Sequence, residues 1–167
     1  MSLPLPRSVG VGSDDEVLCA LVDLGDDYDL DAISDGLSRQ LPSQCVITDV
    51  SVRPKKVTLQ PQSAVYQFTL KPSAITENFR ASFQTLENAS GGKTPIIVNR
   101  QAGKKRARQV DVSPFVDGLK IEDEILRVNC LITPGGSIRI DEIMQQLGIS
   151  AKDLSKPVKR ASVEWSN

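Results

Sequence analysis

The sequence predicts an α+β protein with antiparallel sheets, formed by two ferredoxin-like (split βαβ) units of which the first is incomplete. Two observations predict this class: segments of helical and strand periodicity alternate along the chain, and most strands alternate apolar with polar residues, as half-buried strands do. No apolar run approaches the roughly 20 residues that cross a bilayer, and the start of the chain lacks a signal-peptide pattern. We therefore expect a cytosolic protein without a membrane span.

The first unit is expected to span residues 1–60 and to contain a strand, a helix and a strand. Residues 16–24 are apolar on both faces, as in a buried strand, and residues 45–52 are rich in β-branched side chains. Between them Asp29 can cap a helix. The apolar residues of this helix recur at helical spacing: Leu30, Ile33, Leu37 and Leu41. This is half of a split βαβ unit, and the polar residues 53–63 connect it to the next one.

The second unit, residues 61–167, is expected to form a complete ferredoxin-like sheet. Residues 64–70 alternate as a half-buried strand, and Thr76 can cap a helix that Gly91 and Gly92 terminate. The apolar stripe of this helix is Phe79, Phe83 and Leu86. Further elements follow: hairpin strands at residues 95–99 and 109–116, a strand at 124–133, a helix at 141–148 and a strand at 158–165. The order is a split βαβ arrangement with one added hairpin strand.

Reactive side chains are scarce. The sequence contains no histidine, which removes the most common general base and the commonest metal ligand. Cys19, Cys45 and Cys130 lie far apart in predicted strands, so we expect buried thiols rather than disulfides or a metal site. The acidic residues within positions 14–31 lack the spacing of a calcium loop. We therefore predict no catalytic residues, no metal site and no cofactor, while carboxylate or lysine chemistry stays formally open.

Charge is distributed unevenly along the chain, although the net charge is only −1. Residues 1–50 carry 2 basic and 10 acidic side chains, residues 51–110 carry 11 and 2, and residues 111–167 carry 7 and 9. Such a polarised chain can steer a charged partner, or its acidic and basic segments can face one another.

The basic residues concentrate in a hairpin at residues 98–112. The candidate binding residues are Arg100, Lys104, Lys105, Arg106 and Arg108, with Arg53, Lys55 and Lys56 extending the same patch. Flexible cations of this kind contact phosphates, so RNA binding is one interpretation, and docking on a partner protein and a merely solvated loop are the others. Because aromatic residues are only 4% of the chain, RNA contact would be led by charge or shape.

Four stretches carry a family resemblance. Residues 3–24 have a proline–leucine–proline entry and a V-G-V-x-S turn, and residues 37–42 end a helix in leucine–proline. Residues 98–114 join a lysine-rich hairpin to V-D-x-x-P, residues 137–148 contain an R-x-D-E helix start, and Arg160 lies near the last strand. On these motifs the chain resembles the uncharacterised radical-SAM-linked protein family, whose members lie beside or are fused to cobalamin-binding radical SAM proteins.

The resemblance implies an accessory or substrate-presenting role beside a radical SAM partner protein, without independent catalysis and without a cofactor of its own. It also implies a shortened N-terminus, because members of that family normally begin with another strand-helix-strand stretch that is rich in histidine and phenylalanine.

Overall fold

The computed structural model describes residues 29–43, 47, 50, 52, 60–101 and 107–165. Three helices are described: α1 (Leu30–Ser38), α2 (Glu77–Ala89) and α3 (Ile140–Gln146). Six strands are described: β1 (Pro61–Thr69), β2 (Ile97–Arg100), β3 (Arg108–Asp111), β4 (Val116–Glu122), β5 (Ile125–Leu131) and β6 (Lys159–Trp165). These elements confirm the predicted α+β class with antiparallel sheets.

The first unit is described only in part. Helix α1 begins where the sequence predicts, because Asp29 Oδ1 accepts hydrogen bonds from the N–H groups of Asp31, at 2.9 Å, and Ala32, at 3.2 Å. The strand predicted at residues 16–24 lies outside the described residues. Only three isolated positions of the strand predicted at residues 45–52 are described, so both strands stay predictions.

The main sheet has four strands in the order β4-β5-β1-β6, and every neighbouring pair is antiparallel. Along the chain α2 lies between β1 and β4, and α3 lies between β5 and β6. Each of these crossings passes over one strand of the sheet, which is the split βαβ arrangement predicted for the second unit. The described part of that unit therefore has the expected ferredoxin-like strand order.

One side of the main sheet faces the core. The inward side chains of β1 are Ala64, Tyr66 and Phe68, and those of β5 are Leu126, Val128 and Cys130. The same buried cluster contains Phe79 and Leu86 of α2, Ile143 of α3, and the residues that directly follow β1 and α3, Leu70 and Leu147. The alternation in both strands and the apolar stripe of α2 thus agree with the sequence. Helix α2 ends at Ala89, before Gly91 at φ 71°, a conformation that favours glycine.

The prediction of a single strand over residues 109–116 was wrong. Strand β3 stops at Asp111, a short 3₁₀ turn follows at Ser113–Phe115, and β4 is a separate strand that begins at Val116. Pro114 lies in that turn, and a proline cannot donate to a strand ladder. As a result β2 and β3 pair only with each other, in a two-stranded sheet inserted between α2 and β4, and they are not an extra strand of the main sheet.

No helix among the described residues is both long enough and apolar enough to pass through a lipid bilayer.

We expect Leu126→Ala to lower the free energy of unfolding by about 2–5 kcal/mol, because it opens a cavity around a fully buried side chain of β5. The matched control is Leu41→Ala, at a leucine that is 41% exposed, where the change should stay within about 0.5 kcal/mol. Urea denaturation measures both values. Equal losses in the two variants would contradict the core described above.

Candidate functional site

The hairpin that the sequence predicts as a binding element is a two-stranded ribbon, which we define as β2, β3 and the residues between them. Its register pairs Val98 with Val110 and Arg100 with Arg108. Residues that lie directly opposite in an antiparallel pair point to the same face. Val98 is 5% exposed and belongs to the main core, so the face that carries Arg100 is the one turned toward the body of the unit.

Arg100 attaches the ribbon to helix α3. Its Nε lies 2.7 Å from Glu142 Oε1, and its Nη2 donates to Glu142 Oε2 at 2.7 Å and to the Ser137 carbonyl oxygen at 2.6 Å. The two charged side chains are only 15% and 7% exposed. A bidentate arginine–carboxylate pair has a fixed geometry as well as a favourable energy. The loop-proximal end of the ribbon strands is therefore held in one orientation.

Glu142 also organises the start of α3. It stands in the first turn of the helix, and its Oε2 accepts a hydrogen bond from the Arg139 N–H at 2.8 Å. Burial raises the pKa of the Glu142 carboxyl, but the hydrogen bonds from Arg100 and from the Arg139 N–H outweigh this effect. The net result is a pKa below the usual value, so Glu142 is ionised at neutral pH and complements the arginine.

A second anchor lies at the base of the ribbon. Asp111 Oδ1 accepts hydrogen bonds from the Ile96 N–H at 2.9 Å, the Ser113 N–H at 3.0 Å and the Ser113 hydroxyl at 2.8 Å. The Val112 N–H also donates to the Ile96 carbonyl oxygen at 2.8 Å. Burial raises the pKa of Asp111, yet these donors hold it below its usual value. A charged acceptor thus fixes both ends of the chain segment from which the ribbon rises.

The predicted binding residues fall into three groups. Arg100 is engaged in the ion pair with Glu142 and is therefore part of the anchor. Arg108 is exposed, and its side chain makes no hydrogen bond or ion pair with any residue that the structure describes. The remaining six lie outside the described residues: Arg53, Lys55, Lys56, Lys104, Lys105 and Arg106. Whether the ribbon binds a charged partner stays a prediction.

Reactive side chains are scarce in the described part of the chain, where Cys130 is a buried free cysteine. Burial raises the pKa of the Cys130 thiol to about 12, so this cysteine is a core residue and not a nucleophile at neutral pH. Cys19 and Cys45 lie outside the described residues. Within the described ranges, no group of three or more histidine, cysteine, aspartate or glutamate residues could hold a metal ion.

Comparison with known proteins assigns the chain to a family. Residues 1–146 match the profile of a family described as an uncharacterized protein conserved in bacteria (DUF2344). The chain belongs to this family. No curated protein and no solved structure matches it. The matched region ends at Gln146, the last residue of α3, so it includes the ribbon and both of its anchors and stops before β6.

Two of the motifs that carry the family resemblance now have a structural explanation. The V-D-x-x-P motif supplies Asp111 at the ribbon base, and the R-x-D-E motif supplies Glu142 to Arg100. No local pattern links Arg100 to Glu142, because 42 residues separate them. Sequence reasoning assigned neither Glu142 nor Ser137 to the site, and the only signal was the arginine-and-acid pattern at the helix start.

A double-mutant cycle tests the anchor. We expect Arg100→Met and Glu142→Gln each to destabilise the protein, and their coupling energy to be about 2 kcal/mol, because either change leaves a largely buried charge without its partner. Glutamine at position 142 retains an acceptor for the Arg139 N–H. Chemical denaturation of the four proteins gives the coupling energy.

The control cycle uses the same substitutions at an exposed pair, Lys120→Met and Glu122→Gln. Lys120 and Glu122 are joined at 2.7 Å, but they are 72% and 52% exposed, so solvent screens the interaction. The coupling energy in this cycle should be far smaller. Similar coupling energies in the two cycles would show that Arg100 and Glu142 do not form a special anchor.

Proposed function

We propose that this chain is a non-enzymatic accessory or substrate-presenting module that docks on a partner protein through the ribbon. The observation that carries the proposal is that the ribbon is attached at two points. Arg100 binds Glu142 of α3, and Asp111 accepts hydrogen bonds at the base of the ribbon. A binding element held in one orientation before contact loses little conformational entropy when the partner arrives. This favours a presenting role for the ribbon over that of a solvated loop.

The chemistry of the ribbon also suits a protein partner. Ile97 on β2 is 52% exposed and offers an apolar contact. Arg108 lies at the other end of the described ribbon and on its opposite face, where it is exposed and has no ion-pair partner among the described residues. Interfaces between proteins commonly combine apolar contacts with arginine. Residues 104–106 add three further cations by sequence.

The class of partner follows from charge and from the family resemblance. A cationic ribbon is complemented by an acidic surface, which increases the association rate and orients the two proteins. The resemblance to radical-SAM-linked proteins implies a radical SAM enzyme as the partner.

RNA binding through the ribbon is the second candidate. It is favoured by the composition of residues 100–108, which contain five cationic side chains and no acidic one. Such a segment would contact phosphates without reading sequence. Both candidates use the same residues, so binding measurements have to separate them.

The test is isothermal titration of the full chain with a purified cobalamin-binding radical SAM protein. We expect the triple variant Lys104→Ala, Lys105→Ala and Arg106→Ala to weaken binding by about tenfold or more, because it removes three charges from the contact surface. Ile97→Ser should weaken binding as well, and its effect should persist at high salt, because an apolar contact is not screened.

A matched control removes three exposed cations from elsewhere, with Arg80→Ala, Lys93→Ala and Lys152→Ala. It should change the affinity by no more than about twofold if the ribbon is the contact surface. Equal losses in the two triple variants would indicate a non-specific charge effect and contradict ribbon docking. No binding by the wild-type chain, together with RNA affinity that the ribbon variant loses, would favour the second candidate.

A further inference from the structure

The outer face of the main sheet carries a line of cations that the ribbon does not explain. This face bears the side chains that alternate with the core residues of each strand. Pairing across the sheet aligns Lys159 of β6 with Gln67 of β1, Gln67 with Arg127 of β5, and Arg127 with Lys120 of β4. We call these four residues the cationic row. Neighbouring strands lie about 4.8 Å apart, so the row is about 14 Å long.

The charges of the row are accessible. Lys120 is 72% exposed and Arg127 is 40% exposed. Lys159 is also exposed, and its side chain forms no hydrogen bond or ion pair with the described part of the chain. These side chains are oriented by the strands but keep their charged ends in solvent.

An internal carboxylate partly neutralises the row. Glu122 Oε1 lies 2.7 Å from Lys120 Nζ, and its Oε2 lies 3.1 Å from Arg127 Nη1. The hydrogen bond and charge of Lys120, with a contribution from Arg127, hold the pKa of Glu122 below its usual value. Three cations and one carboxylate leave an excess of positive charge. The contacts of Glu122 also show that Lys120 and Arg127 can bind the same carboxylate group together.

A hollow of about 300 Å³ adjoins the Lys159 end of the row. Its walls are formed by Gln67, Thr69, Ile125, Lys156, Pro157 and Lys159. Lys156 brings a further cation, and the amide of Gln67 and the hydroxyl of Thr69 are hydrogen-bonding groups. The hollow thus continues the cationic row toward the edge of the sheet at β6.

We propose that the cationic row binds the phosphate backbone of single-stranded RNA. A line of positive charge on a polar surface complements a line of phosphates. The row itself has no aromatic or large apolar side chain, and its apolar neighbours on this face, Val65 and Ile125, are partly buried, whereas the centre of a protein–protein interface usually has exposed anchors of that kind. Because the row offers no aromatic side chain for base stacking, the contact is made with phosphates, with little preference for base sequence. This site is separate from the ribbon and does not depend on the docking role proposed for it.

The test is binding of fluorescein-labelled 20-nucleotide poly-U to the full chain, followed by fluorescence anisotropy across a salt series. We expect Arg127→Gln with Lys159→Gln to weaken binding by about tenfold or more at low salt and to reduce the salt dependence, because fewer counterions are released. The matched control, Arg80→Gln with Lys93→Gln, removes two exposed cations that are not in the row and should change the affinity by less than about twofold.

A gain of affinity gives the sharper readout. Glu122→Gln removes the carboxylate that competes for Lys120 and Arg127, so it should tighten RNA binding by about threefold or more. A surface whose charges serve only solubility or stability would not respond in this direction. Thermal unfolding of each variant checks that it is folded.

Three results would overturn the inference. The first is RNA affinity that is unchanged in the Arg127 and Lys159 variant. The second is RNA affinity that only the Lys104, Lys105 and Arg106 variant loses, which would place the RNA on the ribbon. The third is a poly-glutamate peptide that binds the wild type more tightly than poly-U and loses affinity in the row variant, since this would identify an acidic protein segment as the occupant.

Discussion

The ion pair between Arg100 and Glu142 is the interaction on which the orientation of the ribbon within the second unit depends. It joins the ribbon, which pairs with no strand of the main sheet, to the helix that precedes the last strand. A buried pair of this kind contributes little net stability compared with apolar packing, but it is costly to break and it specifies one geometry. Together with the hydrogen bonds of Asp111 at the ribbon base, it fixes the orientation of the inserted hairpin relative to the main sheet.

The same pair changes how the basic segment is understood. Arg100 belongs to the anchor, whereas Arg108, directly opposite it in the ribbon, remains exposed. The cations of the main sheet divide in a similar way, with Lys120 and Arg127 sharing Glu122 while Lys159 has no ion pair among the described residues. Counting charges along the sequence therefore overstates the net positive charge that a partner meets. The position of each carboxylate decides which cations are already neutralised within the protein.

The sequence predicted the elements that local chemistry determines. Asp29 and Thr76 accept N-terminal hydrogen bonds of their helices, and the strands around Phe68 and Val128 alternate as expected. Strand β4 was missed because its register shifts between Val116 and Gly118, so its apolar residues do not keep a period of two. The ribbon anchor was missed for another reason, since no local pattern reports a contact between residues 42 positions apart.

The most direct test of the ribbon anchor is amide hydrogen exchange in the wild type and in Glu142→Gln at neutral pH. Loss of the carboxylate should speed exchange in β2, β3 and the first turn of α3, while β1 and β5 keep their protection, because only the attachment of the ribbon is weakened. Unchanged exchange in the ribbon would contradict the account. So would a uniform increase across the main sheet, since the pair would then support the whole fold and not the ribbon.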